Sequence, residues 1–401
     1  MWELIRLNRR KSILLFIGMG VTLVLLGYFI GLYFDPVKGG VAGVVIALLI
    51  TLILNLVSYF SGSKILLQMS NAKEVTPDVH PRLFNVVEEM KLAAHLPAMP
   101  KVYIINSEAP NAFATGRDPE NAVIAVTAGL LAQMNRDELQ GVVAHETGHI
   151  INRDIRFLTY AGIMLGVIVL LSQMFTRTMF YSSVGRSRSD SGKGQGQIII
   201  LAVAILLAIL APIFAQLLYF AISRKREYLA DATAARLTRY PEGLASALEK
   251  IASSTQDLET ANKVTAPMYI VNPLKGKGMR MSDLTSTHPP ISERIRILRS
   301  MSGGANFRNY QEAFSSVRGT GSPIIPGSGM ADTETIGLRT GLTESGAEFD
   351  KRQYNRELGD IMKTVDDYRF IQCDCGIKLK IPPLFSSDRV ECPKCGTIHS
   401  L

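Results

Sequence analysis

His145-Glu146-Thr147-Gly148-His149 sets two imidazoles four residues apart, with a carboxylate next to the first. Residues four apart on an α-helix share a face, so both rings can grip one ion while the glutamate faces a water bound to it. That is the donor set of a catalytic zinc, which needs neutral nitrogen ligands, an open position and a base for its water. Glu227 and Asp231 repeat the same spacing with carboxylates. They offer a third ligand and an acid that could hold a ligand imidazole from behind. Taken alone, Glu227 could equally be a solvated ion-pair partner of the preceding Arg224-Lys225-Arg226. Gly148 costs a helix about 1 kcal/mol against Ala, a cost that a close neighbour at the site would justify.

The only four cysteines are Cys373, Cys375, Cys392 and Cys395. Cys392-Pro393-Lys394-Cys395-Gly396 is a zinc-knuckle spacing, and sixteen residues separate Cys375 from Cys392, as in a four-cysteine zinc ribbon. The first pair has one intervening residue, Asp374, where two are usual. A structural zinc is expected here in preference to disulfides, because a cytoplasmic tail is kept reduced. Such a module could recruit a protein partner or substrate, or cap a mobile tail.

The elements that must carry these residues include long apolar runs. Hydrophobic residues make up 47% of the chain and gather at 13–34, 41–60, 157–175 and 198–222. At about 1.5 Å per residue each approaches or exceeds the ~30 Å hydrocarbon thickness of a bilayer, so four transmembrane helices are expected. The first is too long for a signal-peptide core and reads as a retained anchor. The net charge of +8 is modest and scattered, which argues against nucleic acid as a partner and for the lipid bilayer. Arg6, Arg9, Arg10 and Lys11 precede the first run, so the positive-inside rule puts residue 61 onward in the cytoplasm. Arg177, Arg186, Arg188 and Lys193 in the 176–197 loop pull against this, and Arg224, Lys225 and Arg226 pull with it. Glu227 can reach a zinc on His145 and His149 only if both flanks of the second hairpin share a side. The hairpin therefore either crosses fully or is embedded beside the catalytic part.

Between the hairpins, 81–96 has a helical apolar period, 102–105 is a short strand, and 111–115 with 122–127 suggests an antiparallel pair around a turn-rich hinge. A helix opens at Asn135 with Asp137 and Glu138 in its first turn, where the dipole favours negative charge. Beyond the fourth run, 227–239 and 241–252 read as two helices divided by Pro241. Gly, Ser and Thr without sustained period suggest a flexible linker over 301–366. The expected units are a transmembrane hairpin (1–60), a first catalytic part (61–156), a second hairpin (157–222), a second catalytic part (223–300), the linker, and the ribbon (367–401).

Asn111-Ala112-Phe113-Ala114-Thr115-Gly116, the His145–His149 motif with Asn152, Arg153 and Asp154, the stretch from Ser223 to Asp231, and Thr287-His288-Pro289-Pro290 with Arg294 together resemble the HtpX-type membrane metalloproteases, relatives of the CAAX prenyl endoprotease. The resemblance runs from Met1 to about Met301 and leaves the cysteine tail outside it. It implies a mainly α integral membrane protein with a zincin-like α+β catalytic domain mounted on membrane helices and facing the cytoplasm; the apolar runs add the number of transmembrane helices, four, and the cysteine spacing adds the small C-terminal β zinc ribbon. It further implies that Glu227 is the third zinc ligand beside His145 and His149, and that Asp231 orients an imidazole, that of His145. Glu146 would be the base, His288 would sit at the substrate cleft, and Asn111, Ala112, Phe113 and Ala114 would hold extended substrate backbone. The expected function is a zinc endopeptidase of the cytoplasmic membrane acting on misfolded or extended membrane-protein segments, by β-augmentation on an edge strand. Two alternatives are an idle zinc-binding membrane scaffold, which the intact Glu146 disfavours, and processing of lipidated tails.

Overall fold

The computed structural model describes residues 2–185, 195–261, 265–271, 273, 288–319, 323–325, 327–330, 336–342 and 350–400. Thr287 and the loop residues Arg186, Arg188 and Lys193 lie outside the described residues.

Helices α1 (Trp2–Phe34) and α2 (Gly39–Met69) form the first apolar hairpin. They meet through glycines. A Cβ on Gly31 would lie 2.0 Å from the Gly39 carbonyl oxygen, so nothing larger than glycine permits this approach. Strand β1 (Ala72–Glu74) follows, then α3 (Pro81–Ala93), β2 (Lys101–Ile105), β3 (Ala112–Gly116), β4 (Ala122–Thr127), α4 (Ala128–Gln133) and α5 (Arg136–Ile151). The second apolar pair is α6 (Asp154–Gly185) and α7 (Gln195–Thr238), followed by α8 (Pro241–Ser253) and α9 (Ile291–Arg299). Four helices among the described residues are long and apolar enough to cross a membrane. Leu15, Met19 and Leu23 of α1, Ala47 of α2, Ala161 and Met164 of α6, and Ala204 and Ala208 of α7 share one buried core. Leu14, Val41, Leu52, Leu206 and Phe214 stand exposed on the outside of this bundle, an apolar face suited to lipid.

Aromatic contacts fix how α6 lies against α1. Phe16 meets Phe157 and Tyr160 at ring separations of 5.9 and 4.0 Å, while Tyr33 meets Phe175 at 5.8 Å. The two helices are therefore parallel and coextensive, so α6 reaches as deep as α1 does.

The sheet has the order β1-β2-β4-β3, with β2 and β4 parallel and β3 antiparallel to β4 at the edge. The turn-rich hinge closes this antiparallel pair, Asp118 capping a 3₁₀ turn through the Asn121 backbone N–H at 2.9 Å. Helix α5 opens on a capping box, Asn135 accepting from the Glu138 N–H at 2.9 Å and Glu138 accepting from the Asn135 N–H at 2.8 Å. It is buried on nearly all sides, so the helix carrying the histidines is the central rod of the domain.

Two expectations need correction. The helix expected to start at Glu227 is no separate element: it continues the fourth apolar run in a 44-residue α7, about 66 Å long. Arg224, Lys225 and Arg226 are good helix formers, and nothing in Ile222–Glu227 breaks a helix. The expected linker over 301–366 holds α10 (Phe307–Arg318), the single turn α11 (Gly327–Met330) and α12 (Lys351–Val365). Phe307, Tyr310 and Phe314 bury one face of α10 against the catalytic core, and Leu358 and Val365 anchor α12 to it. The Lys73 ammonium clasps the end of α12, bonding the Val365 carbonyl at 3.1 Å and Asp366 at 3.0 Å. Beyond it, β5 (Arg369–Gln372) pairs with β6 (Lys378–Ile381), and β7 (Arg389–Glu391) with β8 (Ile398–Ser400).

Candidate metal centre and catalytic cleft

His145 and His149 stand on one face of α5, their rings edge to face at 4.9 Å. α7 crosses this face and brings Glu227 between them: its Oε2 lies 3.5 Å from His145 Nε2 and its Oε1 lies 3.4 Å from His149 Nε2. Gly148 makes the crossing possible. A Cβ there would sit 3.1 Å from Ala230 Cα and 3.2 Å from the Ala230 carbonyl oxygen, so the close neighbour that its helix cost called for is α7.

One ligand atom from each of His145, His149 and Glu227 lies within 4.8 Å of the others. His145 Nε2, Glu227 Oε2 and Glu146 Oε1 are buried with no hydrogen-bond partner among the described residues. Buried polar atoms without a partner cost about 1–3 kcal/mol each, so their convergence fits a cation with two nitrogen ligands and one carboxylate ligand.

The other ring nitrogens are held from behind. Asp231 Oδ1 is 2.9 Å from His145 Nδ1, and Asp154 Oδ2 is 3.4 Å from His149 Nδ1. Each carboxylate selects the tautomer with Nδ1 protonated and Nε2 free to ligate. The role of Asp154 is not legible in the sequence, where it is only one residue of a matching stretch. Its signal was its position five residues beyond His149, just past a helix end. Arg226 completes the rear of the site, its Nη1 3.3 Å from Asp154 Oδ1 and its guanidinium 4.0 Å from the Phe157 ring centroid.

Arg294 likewise has no role legible in the sequence. It is fully buried on α9 and grips Asp231 bidentately, Nε to Oδ2 at 2.8 Å and Nη2 to Oδ1 at 2.7 Å. Its Nη1 lies 3.4 Å from Glu227 Oε2. Burial alone would raise the Asp231 pKa, but the Arg294 charge and the His145 contact overcome it and hold the carboxyl below its usual value. For Glu146 burial wins and pushes the pKa up, which suits a proton acceptor. The backbone N–H of Ala114 on β3 approaches the same carboxylate. His288 is buried just before α9 with Nε2 3.7 Å from Glu227 Oε2, and burial lowers its pKa to about 4, leaving the ring neutral.

The strand residues expected to hold substrate are at the sheet edge, as read, but they carry part of the chain itself. The Ile270 N–H donates to the Ala112 carbonyl at 2.9 Å. The Asn111 amide donates to the Val271 carbonyl at 2.8 Å, and its oxygen accepts the Val271 N–H at 3.4 Å. Phe113 packs its ring on Tyr269 at 5.1 Å.

In the tail, the four sulfurs also lie within 4.8 Å of one another. Cys373 and Cys395 are 3.4 Å apart, and Cys375 and Cys392 are 3.6 Å apart. A disulfide holds its sulfurs at about 2.05 Å, so these are free thiols grouped as for one tetrahedral ion. Glycines at the left-handed positions Gly376 and Gly396 close the two knuckles, Gly376 donating to the Cys373 carbonyl and Gly396 to the Cys392 carbonyl, both at 2.9 Å.

A family model described as Peptidase family M48 matches residues 77–302, more than half of the chain. A "Protease HtpX homolog" of Dictyoglomus turgidum is 47% identical over 300 residues, 75% of this chain and 94% of that protein. Another, of Caldanaerobacter subterraneus subsp. tengcongensis, is 45% identical over 301 residues, 75% of this chain and 98% of that protein. Among solved structures, "Crystal Structure of S. mikatae Ste24p" aligns with TM-score 0.38 and 21% identity, covering 74% of this chain and 67% of that one.

Proposed function

The chain belongs to peptidase family M48 and is an HtpX-type membrane metalloprotease, and from that premise we propose that it hydrolyses extended segments of misfolded membrane proteins at the cytoplasmic face, as a quality-control enzyme. The observation that carries the reading is the convergence of His145, His149 and Glu227, with Glu146 beside them, at the foot of the membrane bundle and next to the edge strand β3. A protease built this way meets substrate near the bilayer surface. An edge strand binds backbone, so it reads extended conformation more than side-chain identity.

In this reading His145, His149 and Glu227 hold the zinc, and Asp231 and Asp154 fix the two imidazoles. The zinc, when bound, lowers the pKa of a water and polarises the peptide carbonyl. Glu146 accepts a proton from the attacking water and delivers it to the leaving amine nitrogen. The neutral His288 ring can donate a hydrogen bond to the oxygen that gains charge, and the buried surroundings strengthen that bond. The four cysteines hold a second, structural zinc, in a module suited to engaging a protein partner.

The test is cleavage in proteoliposomes. An unfolded membrane segment should be cut, chelation should stop the reaction and added zinc should restore it. Cleavage insensitive to chelation, or no cleavage of any unfolded segment, would contradict the reading. Metal analysis of the purified full-length chain should find two zincs. Ending the chain after Asp366, which keeps the clasp on Lys73, should remove one and leave proteolysis of a generic unfolded substrate intact. A single zinc in the full-length chain would refute one of the two sites.

Topology follows from the same geometry. Both Asn152 and Arg224 must lie on the side of the metal, and α6 is coextensive with α1. Single cysteines at Ser187 and at Thr255, in a background lacking the native four, should therefore be labelled by an impermeant reagent from opposite sides of the membrane. Labelling of both from the cytoplasmic side in an active enzyme would mean that the second hairpin is embedded and does not cross.

A further inference from the structure

Substrate binding on β3 requires its free edge, and part of that edge is taken. Residues 270 and 271 stand opposite Ala112 and Asn111, so the chain runs antiparallel to β3 there, with one backbone bond to Ala112 and two bonds to the Asn111 side chain. Four hydrogen bonds hold the backbone of this segment: Ile270 N–H to the Ala112 carbonyl, Val271 N–H and carbonyl to the two ends of the Asn111 amide, and Arg294 Nη1 to the Ile270 carbonyl at 3.1 Å, while the buried Tyr269 and Ile270 side chains anchor it in the core. Backbone-directed bonding of this kind would hold any sequence in extended form. The position also matters. Ala114, two residues along β3 and so about 7 Å away, brings its N–H to Glu146, and Arg294 reaches Glu227 with the same nitrogen that holds Ile270. An extended peptide crossing Glu146 on this edge must run on over Ala112. Upstream, the chain turns off the edge in a 3₁₀ turn, Ala266–Met268, so its described backbone bond to the edge is at Ala112, two residues short of Ala114 beside Glu146.

We propose that Tyr269-Ile270-Val271 is a built-in competitor for the substrate edge, a strap that keeps the protease latent until an extended substrate displaces it. The proposal rests on the assignment of β3 as the substrate strand. It makes the enzyme respond to the supply of unfolded chain: an isolated short peptide competes poorly with the strap, and a long extended segment competes well.

Ile270→Pro removes the N–H that bonds Ala112, and Ile270→Val keeps it. If the open edge is populated about one-tenth of the time, freeing it lowers KM about tenfold at unchanged kcat. Ile270→Pro should show that fall on an unfolded substrate, and Ile270→Val should keep the parent KM. An Ile270→Pro enzyme with unchanged or raised KM, or with lowered kcat, would overturn the strap and make the segment plain scaffold. A second measurement does not depend on that variant folding. In the full-length, zinc-loaded Glu146→Gln protein, hydrogen exchange over Tyr269–Val271 should quicken at least about tenfold when a saturating extended peptide is bound. Unchanged protection with the peptide bound overturns the proposal. A parent enzyme that cleaves by a chelator-sensitive route while both tests fail loses the strap alone; a parent that cleaves nothing loses the substrate assignment on which the strap depends.

Discussion

Glu146→Gln should lower kcat by a factor of about 10² to 10⁴ or more, with zinc content unchanged. The amide is isosteric with the carboxylate and takes no proton, and none of the three converging ligand atoms belongs to residue 146. The loss should appear in kcat, with substrate binding largely preserved, since the base acts in the transition state. Its acceptor role also fits its surroundings. Burial raises its pKa, while Glu227, nearby and equally buried, is held well below the usual range: burial opposes this, but His288, His145 and His149 outweigh it. Two carboxylates in one cleft are thus driven apart, one to accept a proton and one to stay charged. Retained proteolysis in Glu146→Gln, measured by cleavage of an unfolded substrate, would remove the residue from the chemistry.

Arg294→Met should destabilise the folded protein by about 3–5 kcal/mol, because it removes the cation that balances the Asp231 charge in a fully buried site and leaves it only the His145 ring. Asp231→Leu alone should cost a similar amount, because the buried guanidinium loses its bidentate partner and keeps only the longer contact to Glu227 and the bond to the Ile270 carbonyl. The double variant should cost much less than the two added together, since both charges are then gone and apolar side chains fill the space. Thermal unfolding in detergent measures the cycle. Additive effects would mean that the pair is not a unit. Zinc affinity should fall in every one of these variants, because Asp231 holds the His145 ring; losses at such positions run to about 10–100-fold.

Much of the site was legible because its rules are local. The spacing of His145 and His149 reports a shared helix face, apolar length reports the spans, and the polar hinge at 116–121 reports the antiparallel pair. What escaped notice depends on contacts between distant segments. Asp154 looks like a helix-start acid, and only the fold turns it toward the His149 ring. Arg294 sits in a charged stretch with Glu293 and Arg296, where nothing local marks it as fully buried. The α10 face of Phe307, Tyr310 and Phe314 was masked by the glycine and serine around it, so one buried helix was averaged into a linker. Strand β1 is three residues long, too short for its alternation to register. The continuity of α7 was missed for a different reason. A change from apolar to charged residues at Arg224 marks the edge of an apolar run but not the end of a helix, and the same helix that carries the fourth apolar run brings Glu227 between the two histidines.

The most direct test of that delivery is zinc-edge X-ray absorption on the chain ended after Asp366, which leaves no cysteine. The predicted spectrum is one zinc with two imidazole nitrogens and carboxylate or water oxygens at about 2.0–2.2 Å, with Glu227→Ala removing most of the metal. Absence of bound zinc, or a zinc shell that Glu227→Ala leaves unaltered, would contradict the account.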